Sequence, residues 1–396
     1  MRGTVLTLAL LATLALAAGA QDDWRAAALP LGQDTPARAL EALPALGSAR
    51  LVVLGDASGG SAELVSWRRP LLEHLWGRGF TVLALQTGFA DTAALDAWVR
   101  QGTGRPLEAQ RRLLYWNWKT QEMAALIGWL RSHDEQAPLP VSVAGFDMLY
   151  PAASAREVEN YLAGYGVERS FVQGRLGPLS SQGRPEEMTR LDPSRRRAVQ
   201  EGCDLVLSSL TGLPSLLTSG NPRRHREVLQ AARVVSQAAR YWSSPDEALR
   251  QQFLAENLAW LAEEAFPGQK IVVWMGNDQA LGCAPWLRRR YGSQVYVLGS
   301  SLYQGSILAP GPQGRPQPLT LAPAQPDSAE ALLHSAGLPG FVVDLERVPD
   351  LARPRPARWA GPDGRPRTET LALGQVFDAI LHVDHSTAAT PLPEEP

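Results

Sequence analysis

Residues able to carry chemistry are sparse in this chain and loosely grouped. The segment Gly55-Asp56-Ala57-Ser58-Gly59-Gly60-Ser61 places a carboxylate and two hydroxyls in a glycine-rich turn, where the N–H groups opening a following helix can face an anion. It lacks the lysine of a P-loop and the glycine spacing of a dinucleotide fingerprint. No Gly-x-Ser-x-Gly occurs, so the usual nucleophile elbow of α/β-hydrolases is missing. His74, His133, His225 and His334 fall on predicted helices or near their ends and read as structural or surface residues. His382-Val383-Asp384-His385 contains ligand-type residues, but in a strand His382 and Asp384 share one face while His385 points to the other, so no metal site is expected there. The two cysteines, Cys203 and Cys283, lie too far apart in sequence for a CxxC zinc site; they either form one disulfide or remain buried thiols. None of these patterns calls for a cofactor.

These residues must be positioned by an alternation of strand-like and helix-like periods. Leu51-Val52-Val53-Leu54-Gly55 is a short apolar run closed by glycine, as in a buried parallel strand. Ala62 to Trp76 follows with Leu64, Trp67, Leu71, Leu72 and Leu75 at helical spacing. Thr81 to Leu85 is a second strand, Thr92 to Gln101 and Lys119 to Arg131 are helices, and Val141 to Gly145 is a third strand. Two consecutive strand–helix–strand steps imply a parallel sheet whose ligands sit at the carboxyl ends of its strands. The loops after Gly55, Leu85 and Gly145 are therefore where chemistry is expected. Between Ala155 and Glu264 the strand signal disappears in favour of helical periodicity. Strands return at Lys270 to Trp274, Gln294 to Gly299, Phe341 to Leu345 and Phe377 to Val383, with a helix at Ser328 to Ser335 and a Pro/Gly/Gln-rich surface loop from Ala309 to Gln325.

The expected fold class is α/β: a mostly parallel central sheet with flanking helices and a helical insertion. Its parts are a lead over 21–49, half-domains at 50–150 and 267–386, a helical subdomain at 151–266 and a flexible tail at 387–396. Residues 1–20, with Arg2, an apolar run from Val5 to Ala18 and the small residues Ala18-Gly19-Ala20, read as a signal peptide cleaved after Ala20. A secreted or periplasmic protein, free of the membrane after cleavage, is thus expected. With 38 basic and 40 acidic side chains the net charge is −2, which gives no electrostatic reason for nucleic-acid binding. At 45% hydrophobic and 20% charged residues the chain is too apolar for a disordered one.

Several motifs, in order, resemble those of the erythromycin esterase family, hydrolases that open macrolide lactones. They are Leu54-Gly55-Asp56-Ala57-Ser58-Gly59-Gly60 with Glu63 and Arg68, Phe80 to Gln86, Trp116-Asn117-Trp118-Lys119-Thr120-Gln121-Glu122, and Gly145-Phe146-Asp147-Met148. Ala255-Glu256-Asn257, Val272-Val273-Trp274 with Asn277, Leu298-Gly299 with Gly305-Ser306, and Phe377-Asp378-Ala379 continue the series. The resemblance implies the α/β fold and a water-activating site built from a Gly-Glu-x-x-His-Gly loop, a Glu after the second strand and a His-Asn-x-His turn.

Here the chain departs from that pattern. The loop Glu is Asp56 and its His is Gly59; the second-strand Glu is Gln86; the later histidines are Gly276 and Gln279. Only Glu63 and Arg68 stand unchanged among the charged positions carried over. Water activation near neutral pH needs a base such as imidazole, and losing one typically costs ~10²–10⁴ in rate. Asp56 could serve only if burial raised its pKa, and a nearby Arg68 would oppose that. The expectation is a catalytically degenerate homologue with Asp56 and Arg68 as a residual ion pair. Its pocket would bind a polar small molecule through Gly59, Gln86, Trp116, Asn277 and Gln279. The alternative is an active hydrolase of an ester or macrolide-like lactone that uses Asp56 with Arg68, or other carboxylates such as Asp278 or Glu63. A structural envelope protein is a third class.

Overall fold

Apolar runs buried on both faces are typical of parallel strands covered by helices, and four such runs lie side by side here. In the computed structural model, which describes residues 24–31, 36–135, 139–213, 219–311, 314–361 and 363–393, the strands are β1 (Leu29–Pro30), β2 (Leu51–Asp56), β3 (Phe80–Gly88) and β4 (Ser142–Asp147). They continue as β5 (Lys270–Gly276), β6 (Val295–Pro310), β7 (Pro316–Leu321), β8 (Gly340–Asp344), β9 (Arg355–Ala360), β10 (Pro366–Leu371) and β11 (Ala379–Ser386). The main sheet has the order β1-β8-β11-β6-β2-β5-β3-β4, with β7 added beside β6. The steps from β11 through β6, β2, β5 and β3 to β4 are parallel; only the pairings of β8 with β1 and β11, and of β7 with β6, are antiparallel. The protein is therefore α/β with a mostly parallel central sheet and flanking helices. Residues of β2 and β4 are buried throughout, including the polar ends Asp56, Ser142 and Asp147.

The first crossover helix, α1 (Ala62–Trp76), begins at Ser61, whose hydroxyl accepts from Leu64 N–H at 3.3 Å. Leu64, Leu71, Leu72 and Leu75 form its buried stripe, and Arg68 falls on that stripe, four residues after Leu64 and three before Leu71. Helical spacing alone thus drives a guanidinium into the interior. Helices α2 (Ala93–Gln101) and α3 (Gln121–Asp134) complete the next crossover. Between β4 and β5 come α4 (Ala152–Ala163), α5 (Pro193–Thr211), α6 (Pro222–Ser243) and α7 (Glu247–Trp260). Of these, α4, α5 and α6 enclose an apolar core of their own, including Val158, Cys203, Leu210 and Val235. Helix α8 (Asn277–Tyr291) returns the chain to the sheet, and α9 (Ala329–His334) lies further on.

Three sequence expectations need correction. The loop placed at Ala309 to Gln325 contains β7, because β6 runs on to Pro310 and offers an open edge that Pro316 to Leu321 fills. Prolines at 316 and 318 are tolerated on such an edge strand. The polar hairpin β9–β10, which forms a separate two-stranded sheet, has no apolar alternation and gave no strand signal. The tail is tied down over 387–393. Ala389 N–H donates to Gly60 O at 2.8 Å, Gln121 N–H to Thr390 O at 2.8 Å and Leu392 N–H to Lys119 O at 3.0 Å. The candidate signal peptide, 1–20, lies outside the described residues. Among the described residues no helix is long and apolar enough to cross a membrane. Cys203 and Cys283 are separate buried thiols.

Candidate functional site

Because β2, β5, β3 and β4 run the same way, their carboxyl ends share one edge and the loops leaving them converge. Asp56 ends β2 opposite Gly276 at the end of β5. Gln86 follows the Leu85–Trp274 pair, and Asp147 ends β4 opposite Gly88. A cleft of about 720 Å³ opens along this edge. Asp56, Gly59, Gln86, Trp116 and Gln279 line it, together with Tyr115, Asn117, Trp118, Tyr150, Arg250 and Asp278. Pro391, Leu392 and Pro393 of the tail form part of its wall.

Two ion pairs support the cleft. Arg68, fully buried, donates to an Asp56 carboxylate oxygen and, at 3.2 Å, to Gly55 O; Trp274 Nε1–H donates to the other Asp56 oxygen at 2.5 Å. Burial pushes the Asp56 carboxyl above its ordinary value, with Arg68 and Trp274 pulling against it. Each oxygen already accepts one hydrogen bond from a structural donor, Arg68 on one and Trp274 on the other. Arg68 itself does not line the cleft but sits beneath it, its guanidinium 5.4 Å from the Trp274 ring centre.

The second pair joins Asp147 to Arg250 at 3.0 Å, with Tyr115 donating its hydroxyl to the same carboxylate oxygen at 2.7 Å and Leu149 N–H donating to the other at 2.9 Å. Burial alone would raise the Asp147 carboxyl, but Arg250 and these hydrogen bonds outweigh it and hold it below the usual carboxylate value. The Tyr115 hydroxyl is pushed well above its ordinary value by burial and by Asp147, so it stays a donor. Sequence reasoning quoted Asp147 only as part of a motif and missed Arg250 and Glu247, which stand on α7 far away in the chain. Position at a strand's carboxyl end was the one signal available for Asp147.

The amides divide. Gln86 accepts from Gly276 N–H at 3.2 Å, and its backbone oxygen accepts from Trp118 Nε1–H at 2.9 Å. Gln279 donates from Nε2 to Glu247 and to Asp278, each at 3.1 Å. Asn277 is not a cleft residue: it is buried, donating to Ser300 O at 2.8 Å and accepting from Ser300 N–H at 3.3 Å, which ties α8 to β6. Glu63 is likewise elsewhere, accepting from Thr387 N–H at 2.8 Å at the root of the tail. Burial raises the Asp278 carboxyl, against hydrogen bonds from Gln279.

Gly59 and Gly276 are hemmed in. A Cβ on Gly59 would stand 2.7 Å from Asn117 Cβ, and one on Gly276 would stand 2.5 Å from Asp278 Oδ1. The Asn117 and Asp278 side chains occupy the space beside these two positions. None of the six histidines lines the cleft. Elsewhere, Ser301 Oγ and His382 Nδ1 are 3.1 Å apart, and His382 Nε2 stands 3.9 Å from Asp384, too far for a hydrogen bond. That hydroxyl–imidazole–carboxylate series has Ser301 and His382 buried and unreachable by substrate. Among the described residues no group of three or more ligand-type side chains could hold a metal ion.

With this geometry in place, comparison with known proteins assigns the class. A sequence model of the erythromycin esterase family matches residues 77–386, well over half of the chain, and the chain belongs to that family. It is 22% identical over 389 residues to the Bacillus subtilis protein named "Putative hydrolase YbfO", covering 85% of this chain and 84% of the relative. A solved Bacillus cereus protein superposes with a TM-score of 0.81 at 20% identity, covering 95% of this chain and 99% of that one. A variant of the erythromycin esterase EreC in its open conformation superposes with a TM-score of 0.69 at 16% identity, covering 88% and 94%. At such identities the two solved structures speak for the fold alone.

Proposed function

We propose that this chain is a catalytically degenerate erythromycin esterase homologue whose cleft binds a polar small molecule, and that it works outside the cytoplasm after cleavage behind Ala20. The observation that carries this reading is the occupation by Asn117 and Asp278 of the space beside Gly59 and Gly276. Without imidazole there, and with Asp56 held by Arg68 and Trp274, the cleft lacks a base suited to neutral pH. What it keeps is an aromatic and amide lining through Trp116, Tyr115, Gln86 and Gln279, suited to stacking and hydrogen bonding. The partner is a small molecule, not a nucleic acid.

The test has two arms. Turnover of a panel of macrolides and simple aryl esters is expected at the buffer rate. Thermal-shift screening of polar small molecules is expected to find saturable binding that Trp116→Ala weakens. A second reading, a working hydrolase acting through carboxylates, is favoured by Asp278, which lines the cleft and whose carboxyl burial raises above its ordinary value. Turnover abolished by Asp278→Asn or Asp56→Ala would establish that reading instead.

A further inference from the structure

The carboxylates at the cleft floor differ in how they are paired. Asp56 is matched by Arg68 and Asp147 by Arg250. Arg250 also comes within 3.4 Å of Glu247, but a single guanidinium cannot neutralise two carboxylates. Asp278 takes part in no ion pair among the described residues and has Gln279 as its side-chain hydrogen-bond partner. Two carboxylates, Glu247 and Asp278, thus accept from the same amide nitrogen, and the cation paired with Glu247, Arg250, is shared with Asp147.

The other end of that amide is a separate observation. Gln279 is 3% exposed, and its Oε1 has no hydrogen-bond partner although the residue lines the cleft. Buried acceptors are nearly always satisfied in native proteins, so an orphan at the floor of an open cleft marks a place where a ligand's donor belongs. Its Nε2 must donate to the two carboxylates, so the free atom is fixed as the oxygen. An anion is disfavoured there: Asp278 already occupies the first turn of α8, and Gly276 N–H is taken by Gln86. Tyr115, Trp116 and Trp118 wall the same cleft, and aromatic faces attract cations as well as apolar surface.

We propose that the ligand carries a protonated amine, seated between the Asp278 and Glu247 carboxylates with an N–H donated to Gln279 Oε1 and its apolar body against the aromatic wall. This rests on the reading of the cleft as a binding site and names the chemistry it selects. Because Gln279 Oε1 needs a hydrogen, the seat prefers an amine with N–H over a quaternary ammonium.

Titration calorimetry on the full chain at pH 7 with 2-phenylethylamine, 2-phenylethanol and the N,N,N-trimethyl derivative of the amine tests this. The amine is expected to bind about tenfold or more tighter than the alcohol and measurably tighter than the trimethyl compound. Asp278→Asn is expected to abolish the preference and Asp278→Glu to retain part of it. Should Asp278→Asn fail to fold, Gln279→Met reads out the same seat. Equal affinity of amine and alcohol overturns the ammonium seat while leaving cleft binding intact. An amine preference unchanged in the folded variants overturns the residue assignment, and no binding of any probe up to about 10 mM overturns the proposal.

Discussion

The cleft at the carboxyl ends of β2, β5, β3 and β4 and the Ser301–His382–Asp384 cluster between β6 and β11 divide the means of hydrolysis between them. The cleft is open, about 720 Å³ in volume, and holds carboxylates, amides and aromatics but no imidazole. In the cluster, Ser301 and His382 face each other in register on parallel strands, and both are closed off from solvent. Catalysis needs a base of suitable pKa and a path for the substrate at the same place. A hydroxyl, imidazole and carboxylate in the right order do not make a site when packing leaves no access. On the reading proposed above, an accessible cleft at the right edge of the sheet does not make one either when it holds no imidazole.

The largest effect expected from disturbing this division is on stability. Arg68→Met leaves the Asp56 carboxylate buried without its partner and should cost about 3–5 kcal/mol in chemical denaturation, with Asp56→Asn on the same chain recovering most of it. A cost near zero would show that Asp56 does not depend on the pair and is available for other work. Next in size is a gain of function. Gly276→His with Gln279→His, combined with Asp278→Gly to clear the atom a Cβ at 276 would meet, brings imidazole into the open cleft, and aryl-ester hydrolysis should rise about 10²-fold, the lower end of what general-base catalysis supplies. No rise would mean that the cleft has lost the transition-state donors as well as the base.

Smaller effects come from titration. Asp91, in the turn after β3, is pushed up to about 6 by burial, with Lys119 opposing. Its folded form holds the proton more tightly than the unfolded chain, so stability declines as pH rises from about 4 to about 6. Asp91→Asn should therefore raise stability at pH 7 by about 2 kcal/mol and flatten that slope, read from denaturation midpoints across pH. Smallest is the closed cluster. Burial pushes His382 below its ordinary value, with Asp384 opposing. The stability of a neutral folded histidine is present above about pH 6.5 and is lost as pH falls below it. His382→Gln should remove that part of the acid-side loss without touching ligand binding in the cleft.

Much of this arrangement was legible in the sequence, for identifiable reasons. The strands at Leu51, Thr81, Val141 and Lys270 have largely apolar centres, so composition located them and the alternation with helices gave their direction. From direction alone, the loops carrying Asp56, Gln86 and Gln279 had to meet. Asn277 was misplaced because adjacent positions at a helix start point in different directions, and only the fold shows that Asn277 turns toward Ser300 while Asp278 and Gln279 face the cleft. Arg250 and Glu247 could not be foreseen, since their approach to Asp147, 103 residues from Arg250, and to Gln279, 32 residues from Glu247, depends on how α7 packs. Strand β7 and the tail escaped because their partners are backbone groups of distant segments, which leave no trace in side-chain pattern.

The two thiols sit in different layers, Cys203 in the core of the helical subdomain and Cys283 in the core under the main sheet. Burial pushes Cys203 up to about 12 and Cys283 higher still, so neither reacts as thiolate while its layer is closed. Each becomes a built-in timer: its rate of alkylation measures how often its own layer opens. Run side by side, the two rates would tell whether the helices come away before the sheet or the whole chain opens at once.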